Sequence, residues 1–427
     1  MRTGLKYTAL LTAAVCLLSL PGCGKDKKSS SAADSGFPET SIPEFTIPEN
    51  ILGEPSADIP DFEMDKYKVP DNEGMQLVQD MKIGWNLGNT FDATDNTKLE
   101  DMSPEAEMKY EEKWCGTVTT VENIAAIKAA GFQTIRIPVS WHNHVDSENH
   151  ISEQWMRRVK EVVDWSRACD LYVILNVHHD NDENVYYPDS AHLEQSKTYL
   201  TAVWTQIADV FKDYDEHLIL ESMNEPRLVG TSAEWWLDKN NPDCVDSANC
   251  INELNQLFVD TVRNSGGNNA TRWLMCPGYA ASPDSVIYDG FKLPEDPANR
   301  IIVSVHAYRP YSFALDTKGT NEWSADNPSD TSQITTFMDQ LYGKFVLNGI
   351  PVVIGEFGAM NKDNDADRTA FSVYYTAAAR ARGISCVWWD NNAFTSSGEN
   401  FGLLLRATST FPNPTVVQAL MKGSEIR

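Results

Sequence analysis

Eight short, β-branched-rich apolar runs alternate with helix-period segments, and most of those runs end on polar or aromatic residues. This pattern predicts an α/β chain folded as a single (β/α)8 TIM barrel. The runs are nearly continuous in apolarity, as parallel strands covered by helices on the outside must be. An open doubly wound sheet is the competing architecture. It finds no support, because no GxGxxG follows the first run and no P-loop is present.

In chain order, residues 81–89 read as the first strand and 121–130 as a helix ended by Gly131. Strand two spans 133–141, followed by a helix over 153–168. Strand three spans 171–179, with a helix over 199–211. Strand four runs 218–224, and its helix 251–262. Strand five is 273–276, followed by weak helical signal. Strand six covers 301–308, with a helix over 334–347. Strand seven is 351–356, with a helix over 368–382. Strand eight is 385–390, and a closing helix occupies 415–421.

The N-terminus reads as a targeting segment. Arg2 and Lys6 supply positive charge, and the apolar stretch 9–20 is short for a membrane span. It ends Leu20-Pro21-Gly22-Cys23, which resembles a bacterial lipobox and implies cleavage before Cys23 and acylation of that cysteine. Residues 1–22 are thus expected to be a lipoprotein signal peptide. Residues 23–61, with Pro38, Pro43, Pro48, Pro55 and Pro60 among Ser, Asp and Glu, are expected to form a flexible spacer. The catalytic domain is expected from 62 to 427.

Thirty-five basic against 61 acidic residues give a formal charge of −26, which argues against nucleic acid and anionic membrane surfaces as partners. That balance suits an exported protein with a neutral substrate. Twelve tryptophans fit sugar stacking, although most indoles in any protein are packing residues. Beyond Cys16 and Cys23, six cysteines remain. Cys244 and Cys250 are read as lying in one polar loop, where an oxidising compartment would let them pair. No CxxC is present, so a structural zinc site is not expected.

The chemistry gathers at the strand ends. Strand four leads into Asn224-Glu225-Pro226, and strand seven into Gly355-Glu356-Phe357-Gly358. Proline cannot join a sheet ladder, so Pro226 ends pairing just past an acid. Strand ends of a parallel barrel face one common site, which makes Glu225 and Glu356 a candidate catalytic pair. Arg136 interrupts an apolar strand and needs a carboxylate partner, for which Glu356 is the choice. Such pairing separates the two carboxyl pKa values, as acid-assisted hydrolysis requires. His178, His179 and Asp180 invite a metal reading. Neighbouring strand residues face opposite ways, however, and no HExxH is present, so no metal and no cofactor are expected. No GxSxG elbow supports a serine nucleophile.

Gly84-Trp85-Asn86-Leu87-Gly88-Asn89-Thr90, Asn224-Glu225-Pro226, His306-Ala307-Tyr308 and Gly355-Glu356-Phe357-Gly358 together resemble glycoside hydrolase family 5, the cellulase family. Asn224 to Thr231, the following Glu234-Trp235-Trp236, and Trp388-Trp389-Asp390-Asn391 resemble its subfamily 4 endo-β-1,4-glucanases. The match spans residues 82–391. The resemblance implies a retaining endo-β-1,4-glucanase acting on a β-1,4-glucan polysaccharide or oligosaccharide. Glu225 would be the acid/base and Glu356 the nucleophile. Asn224 would bond the sugar 2-hydroxyl, Arg136 and Tyr308 would hold Glu356 ionised, and His306 would buttress them. His178 would touch the sugar next to the scissile bond, with His179 and Asn89 as further binding candidates. Trp389 would be the sugar platform before the cleavage point, and Trp388 a packing residue. Trp235 and Trp236 would stack on the leaving-group side, or merely pack their loop. Xyloglucan or mixed-linkage glucan are rival substrates, and a non-catalytic surface glycan-binding barrel is the rival class. The expected protein is a monomeric, exported, cell-surface or extracellular lipoprotein, touching membrane only through Cys23.

Overall fold

The computed structural model describes residues 40–425, so Cys23 and the expected leader lie outside the described residues. Eight parallel strands close into a barrel in chain order. They are β1 (Ile83–Leu87), β2 (Thr134–Ile137), β3 (Tyr172–Asn176), β4 (Leu218–Glu221), β5 (Leu274–Pro277), β6 (Ile301–His306), β7 (Val352–Phe357) and β8 (Ser385–Asp390). The β1–β8 pairing, Ile83 opposite Cys386 through Leu87 opposite Asp390, completes the ring. The (β/α)8 expectation holds.

Helices Val121–Ala129, Glu153–Ala168, Leu193–Phe211, Pro242–Asn264, Pro328–Lys344, Asp365–Ala381 and Pro414–Glu425 form the outer layer. After β5 come a 3-10 turn, Tyr279–Ala281, and the short helix Pro283–Ile287, matching the weak signal there. Their starts are chemically marked. Thr120 and Asn123 form a reciprocal capping box. Asn241 caps Asp243 N–H ahead of Pro242 at the first helical position.

That last start lies nine residues before the expected one, and it changes the cysteine reading. Cys244 and Cys250 both belong to helix Pro242–Asn264, and both are buried free thiols. Six residues apart on a helix, they are separated by about 9 Å along its axis and about 120° around it, so they cannot bond.

Helix Glu73–Met81 was not anticipated. Asn72 caps it, and Leu77, Val78 and Met81 plug the N-terminal mouth of the barrel. They meet the inward side chains Ile174, Ile219, Met275, Ile302, Val353 and Val387, one each from β3 to β8. Burying each aliphatic chain of this size contributes about 1.5–3 kcal/mol.

The spacer reading also needs correction from residue 40 onward. Phe45, Ile51 and Leu52 are half-buried against the main core. Ser56 N–H and hydroxyl bond Thr415, Gln418 reaches Gly53 O, and Lys422 reaches Ile59 O. A proline-rich stretch needs no ladder partners, and its scattered apolar side chains suffice to dock it. Among the described residues, no helix is long and apolar enough to cross a membrane.

Candidate active site

Strand parity builds the site. Above the apolar plug the inward positions turn polar: Asn86 on β1, Arg136 on β2, Asn176 on β3, Glu221 on β4 and Ser304 on β6, all fully buried. Two residues further along the chain come His178, just past the end of β3, and His306, the last residue of β6. On β8, Val387 faces the plug and Trp389 the mouth. Trp388 between them packs outward on Phe357, with its indole N–H on Phe401 O.

Glu356 breaks this parity. Ile354 faces the helices, so strict alternation would turn Glu356 outward as well. The β6–β7 register shifts at Val305/His306, and the β7–β8 register shifts between Ile354 and Phe357. An irregularity of that kind re-aims a side chain, and here Glu356 enters the mouth. Gly355 beside it makes room for the His306 ring: a Cβ there would lie 3.2 Å from His306 Nε2. Gly88 serves Trp389 in the same way, since a Cβ there would come within 2.8 Å of the indole.

Glu225 lies four residues beyond the end of β4, in the following loop rather than on the strand. Oxygens of Glu225 and Glu356 and a ring nitrogen of His306 lie within 4.8 Å of one another. His306 Nδ1 is 2.8 Å from Glu225 Oε1 and 3.6 Å from Glu356 Oε1. Tyr308 donates its hydroxyl to Glu356 Oε2 at 3.0 Å.

Arg136 binds Glu356, but not Glu356 alone. Its Nη1 donates to Glu356 Oε1 at 2.8 Å and to Asn86 Oδ1 at 3.0 Å. Its Nε donates to Glu221 Oε2 at 2.8 Å, and Nη2 to Asn224 Oδ1 at 2.7 Å. The buried cation thus sits between two carboxylates. Sequence reasoning missed Glu221, although an acid inside Leu218-Ile219-Leu220-Glu221 raises the same question as an arginine inside β2. Ser304 and Asn176 complete its coordination.

Burial disfavours the His306 cation, but facing Glu356 and Glu225 outweighs it, and His306 lies above its ordinary value. Burial also opposes ionisation of Glu225. The hydrogen bond and charge of His306, then Arg227 and His179, outweigh it and bring Glu225 below the usual carboxyl value. Burial lifts Glu356 above that value, aided by the charge of Glu225 and resisted by His306 and Arg136. The two carboxyls are therefore pushed apart, Glu225 downward and Glu356 upward, with His306 raised between them.

His178 and His179 do not face opposite ways. Both lie beyond the end of β3, where alternation no longer applies, with ring centroids 4.3 Å apart. Each offers a nitrogen near an Asp92 oxygen, but the donor set does not suit a metal. Asn176 Nδ2 donates to His178 Nδ1, which puts the His178 proton on Nε2, whereas ligation through Nε2 needs the opposite tautomer. Asp92 spends its oxygens on the Asn89 and Thr90 N–H groups. Burial keeps His178 well below its ordinary value and brings His179 to about 4, so both are neutral hydrogen-bonding groups at neutral pH.

The His178 ring runs parallel to Trp389, 5.8 Å away. Asn89 occupies a left-handed turn, φ 56°, which asparagine tolerates. Trp235 and Trp236 are 50% and 73% exposed, so neither is a packing residue of its loop. Arg227 lies over the Trp235 ring at 3.9 Å. The exposed Trp114, 5.8 Å from His179, was not singled out by sequence because its loop carries no periodic signal. Asp180 is structural: it accepts from Trp141 and His142 N–H and from the Tyr199 hydroxyl.

The family model described as cellulase (glycosyl hydrolase family 5) matches residues 92–395. The chain belongs to glycosyl hydrolase family 5. Among family relatives, it is 44% identical over 349 residues to endoglucanase A of Clostridium longisporum, covering 82% of this chain and 65% of that protein. The chain thus spans just under two thirds of that relative's length. A family 5 lichenase from Caldicellulosiruptor sp. F32, solved as a mutant with cellotetraose, is 53% identical, with a TM-score of 0.84. The alignment covers 86% of this chain and all of that one. A GH5-4 broad specificity endoglucanase from Ruminococcus champanellensis with bound cellotriose is 45% identical over 83% of this chain and 100% of that chain, with a TM-score of 0.76.

Proposed function

We propose that this family 5 enzyme is a retaining endo-β-1,4-glucanase in which Glu356 is the nucleophile and Glu225 the acid/base. The observation that carries the mechanism is the approach of the two carboxyl groups to within 4.8 Å. Retaining pairs sit ~5–5.5 Å apart, whereas inverting pairs stand ~6.5–9.5 Å apart to admit a water. The named relatives, two endoglucanases and a lichenase, support β-glucan as the substrate.

In the first step Glu356 attacks the anomeric carbon while Glu225 gives a proton to the departing glycosidic oxygen. The proton reaches Glu225 Oε1 across the 2.8 Å bond from His306 Nδ1. Substrate that expels water from the mouth disfavours the separated charges of that bond and promotes the transfer. Arg136 and the Tyr308 hydroxyl donate to Glu356 and favour its carboxylate against the effect of burial. In the second step Glu225, now a carboxylate, takes a proton from water, which displaces the sugar from Glu356. Asn224 has its Oδ1 taken by Arg136, which leaves its amide N–H groups for the 2-hydroxyl. Trp389 and His178 would receive the sugar before the cleavage point, and Trp235 the sugar after it.

The test is reducing-sugar release from carboxymethylcellulose, mixed-linkage glucan and xyloglucan. Release from the first two is expected. Release from none of the three, by folded protein, would overturn the assignment. The relatives' lichenase and broad specificity activities favour mixed-linkage glucan as a substrate beside cellulose-like chains.

We also propose that the protein acts outside the cell as a monomer held by acylated Cys23, a reading that rests on the lipobox-like Leu20-Pro21-Gly22-Cys23. Cys23→Ala should move the activity from the membrane fraction to the soluble fraction. An unchanged distribution would refute the anchor.

A further inference from the structure

Arg227 joins two parts of the cleft. Its Nη1 donates to Glu225 O at 2.9 Å and lies 3.7 Å from Glu225 Oε2, the carboxyl oxygen that His306 does not bond. Its guanidinium carbon lies 3.9 Å over the Trp235 ring. The fork is itself held: Nε donates to Glu234 Oε1 at 3.2 Å, and Glu234 Oε2 accepts Gly230 N–H at 3.1 Å. The Arg227 backbone N–H is pinned by Asn181 Oδ1 at 2.7 Å, which ties this loop to the one after β3. One side of the indole is therefore occupied by a cation, while half of the residue's surface remains open to solvent.

We propose that Arg227 is a positioning residue that locks the leaving-group platform Trp235 to the carboxyl of Glu225, so that seating the departing sugar sets the geometry of proton transfer. A guanidinium stacks flat on an indole while its edge holds carboxylates, which an ammonium cannot do. An exposed tryptophan on a loop has rotamer freedom, and the stacked cation with its Glu234 brace removes it. A sugar that settles on the open indole face then meets an acid whose position is already fixed relative to that face. The inference rests on the endoglucanase reading and goes beyond it, because it assigns the coupling of leaving-group binding to acid catalysis.

The experiment compares the wild type with Arg227→Met and Arg227→Lys on two substrates. Cellotetraose needs both the leaving-group platform and the acid. Dinitrophenyl β-cellobioside has a leaving group that needs neither in the first step. For Arg227→Met, kcat/KM on cellotetraose should fall by roughly 30- to 100-fold, while the aryl substrate stays within about 3-fold. The pH profile supplies the readout that a merely structural role would not move. The Arg227 cation favours ionised Glu225, so its removal raises the proton affinity of that carboxyl. The alkaline limb of kcat/KM should then move up by roughly half a unit to one unit. The other groups facing Glu225 remain in place: His306, His179, Glu356, Tyr308, Tyr186 and Glu399. Arg227→Lys should restore the pH limb without restoring cellotetraose turnover. A parallel fall on both substrates with an unmoved limb, or no change on either, would overturn the inference. A folded wild type inert to both substrates would instead remove the endoglucanase reading, and the inference would fall with it.

Discussion

Glu356→Gln is expected to lower kcat/KM on β-glucan by on the order of 10⁴-fold or more, equivalent to about 5.5 kcal/mol of transition-state stabilisation. The amide fills the volume of the carboxyl, with its one oxygen free to accept from Arg136 and its NH2 to donate to the Tyr308 hydroxyl oxygen, but it cannot form the glycosyl ester. The protein should remain folded for a reason visible in the ion-pair geometry. Arg136 would lose one carboxylate and keep the other, because Glu221 Oε2 lies 2.8 Å from its Nε. Losing the only partner of a buried ion costs about 3–5 kcal/mol, and here a partner survives. Thermal melting should therefore show a small change beside the kinetic collapse. A variant that keeps wild-type turnover would remove Glu356 from the nucleophile role. A variant that fails to fold would mean that Glu221 does not suffice for Arg136.

The second large effect concerns that arginine. Arg136→Met should destabilise the fold by about 3–5 kcal/mol, because it leaves Glu221 and Glu356 buried around an uncharged chain. Whatever folds should also lose at least ~10²-fold in kcat/KM, since Asn224 and Glu356 both take their positions from the guanidinium. The sign of the pH effect follows from the charge. Arg136 favours ionised Glu356, and its loss raises that carboxyl further above its ordinary value. The acid limb of kcat/KM should move upward, so that activity at low pH is lost first. Arg136→Lys should rescue little, because one ammonium cannot hold Glu221, Glu356, Asn86 and Asn224 together. Wild-type melting and an unmoved acid limb in Arg136→Met would contradict this account.

The barrel was legible because each strand is a compact apolar run. Strand eight was read to the residue, and the other strand ends fell within a few residues of their place. Helix Glu73–Met81 escaped because it follows a proline-rich stretch and has no strand before it to announce a βα unit. Cys244 and Cys250 were misread because Asn240, Asn241 and Pro242 look like loop residues until Asn241 is seen capping a helix. In the site, the two glutamates stood out as acids where apolar runs end, and the arginine as a charge inside an apolar strand. Two further features depend on geometry that periodicity cannot supply. Alternation holds only inside a strand, so it misjudged His178 and His179, which lie past the end of β3. The register irregularity that turns Glu356 into the mouth has no sequence mark beyond Gly355. Nor does spacing along the chain indicate that Arg227 will fold back over Trp235.

The central claim is that Glu356 forms a covalent bond to the sugar. Its most direct measurement is mass spectrometry of the intact protein and of its peptides after incubation with dinitrophenyl 2-deoxy-2-fluoro-β-cellobioside, whose fluorine slows release of the glycosyl enzyme. The account predicts one fluorocellobiosyl group per chain, carried on the peptide that contains Glu356. A label on another residue, or an enzyme that hydrolyses β-glucan to the inverted anomer and takes up no label, would contradict it.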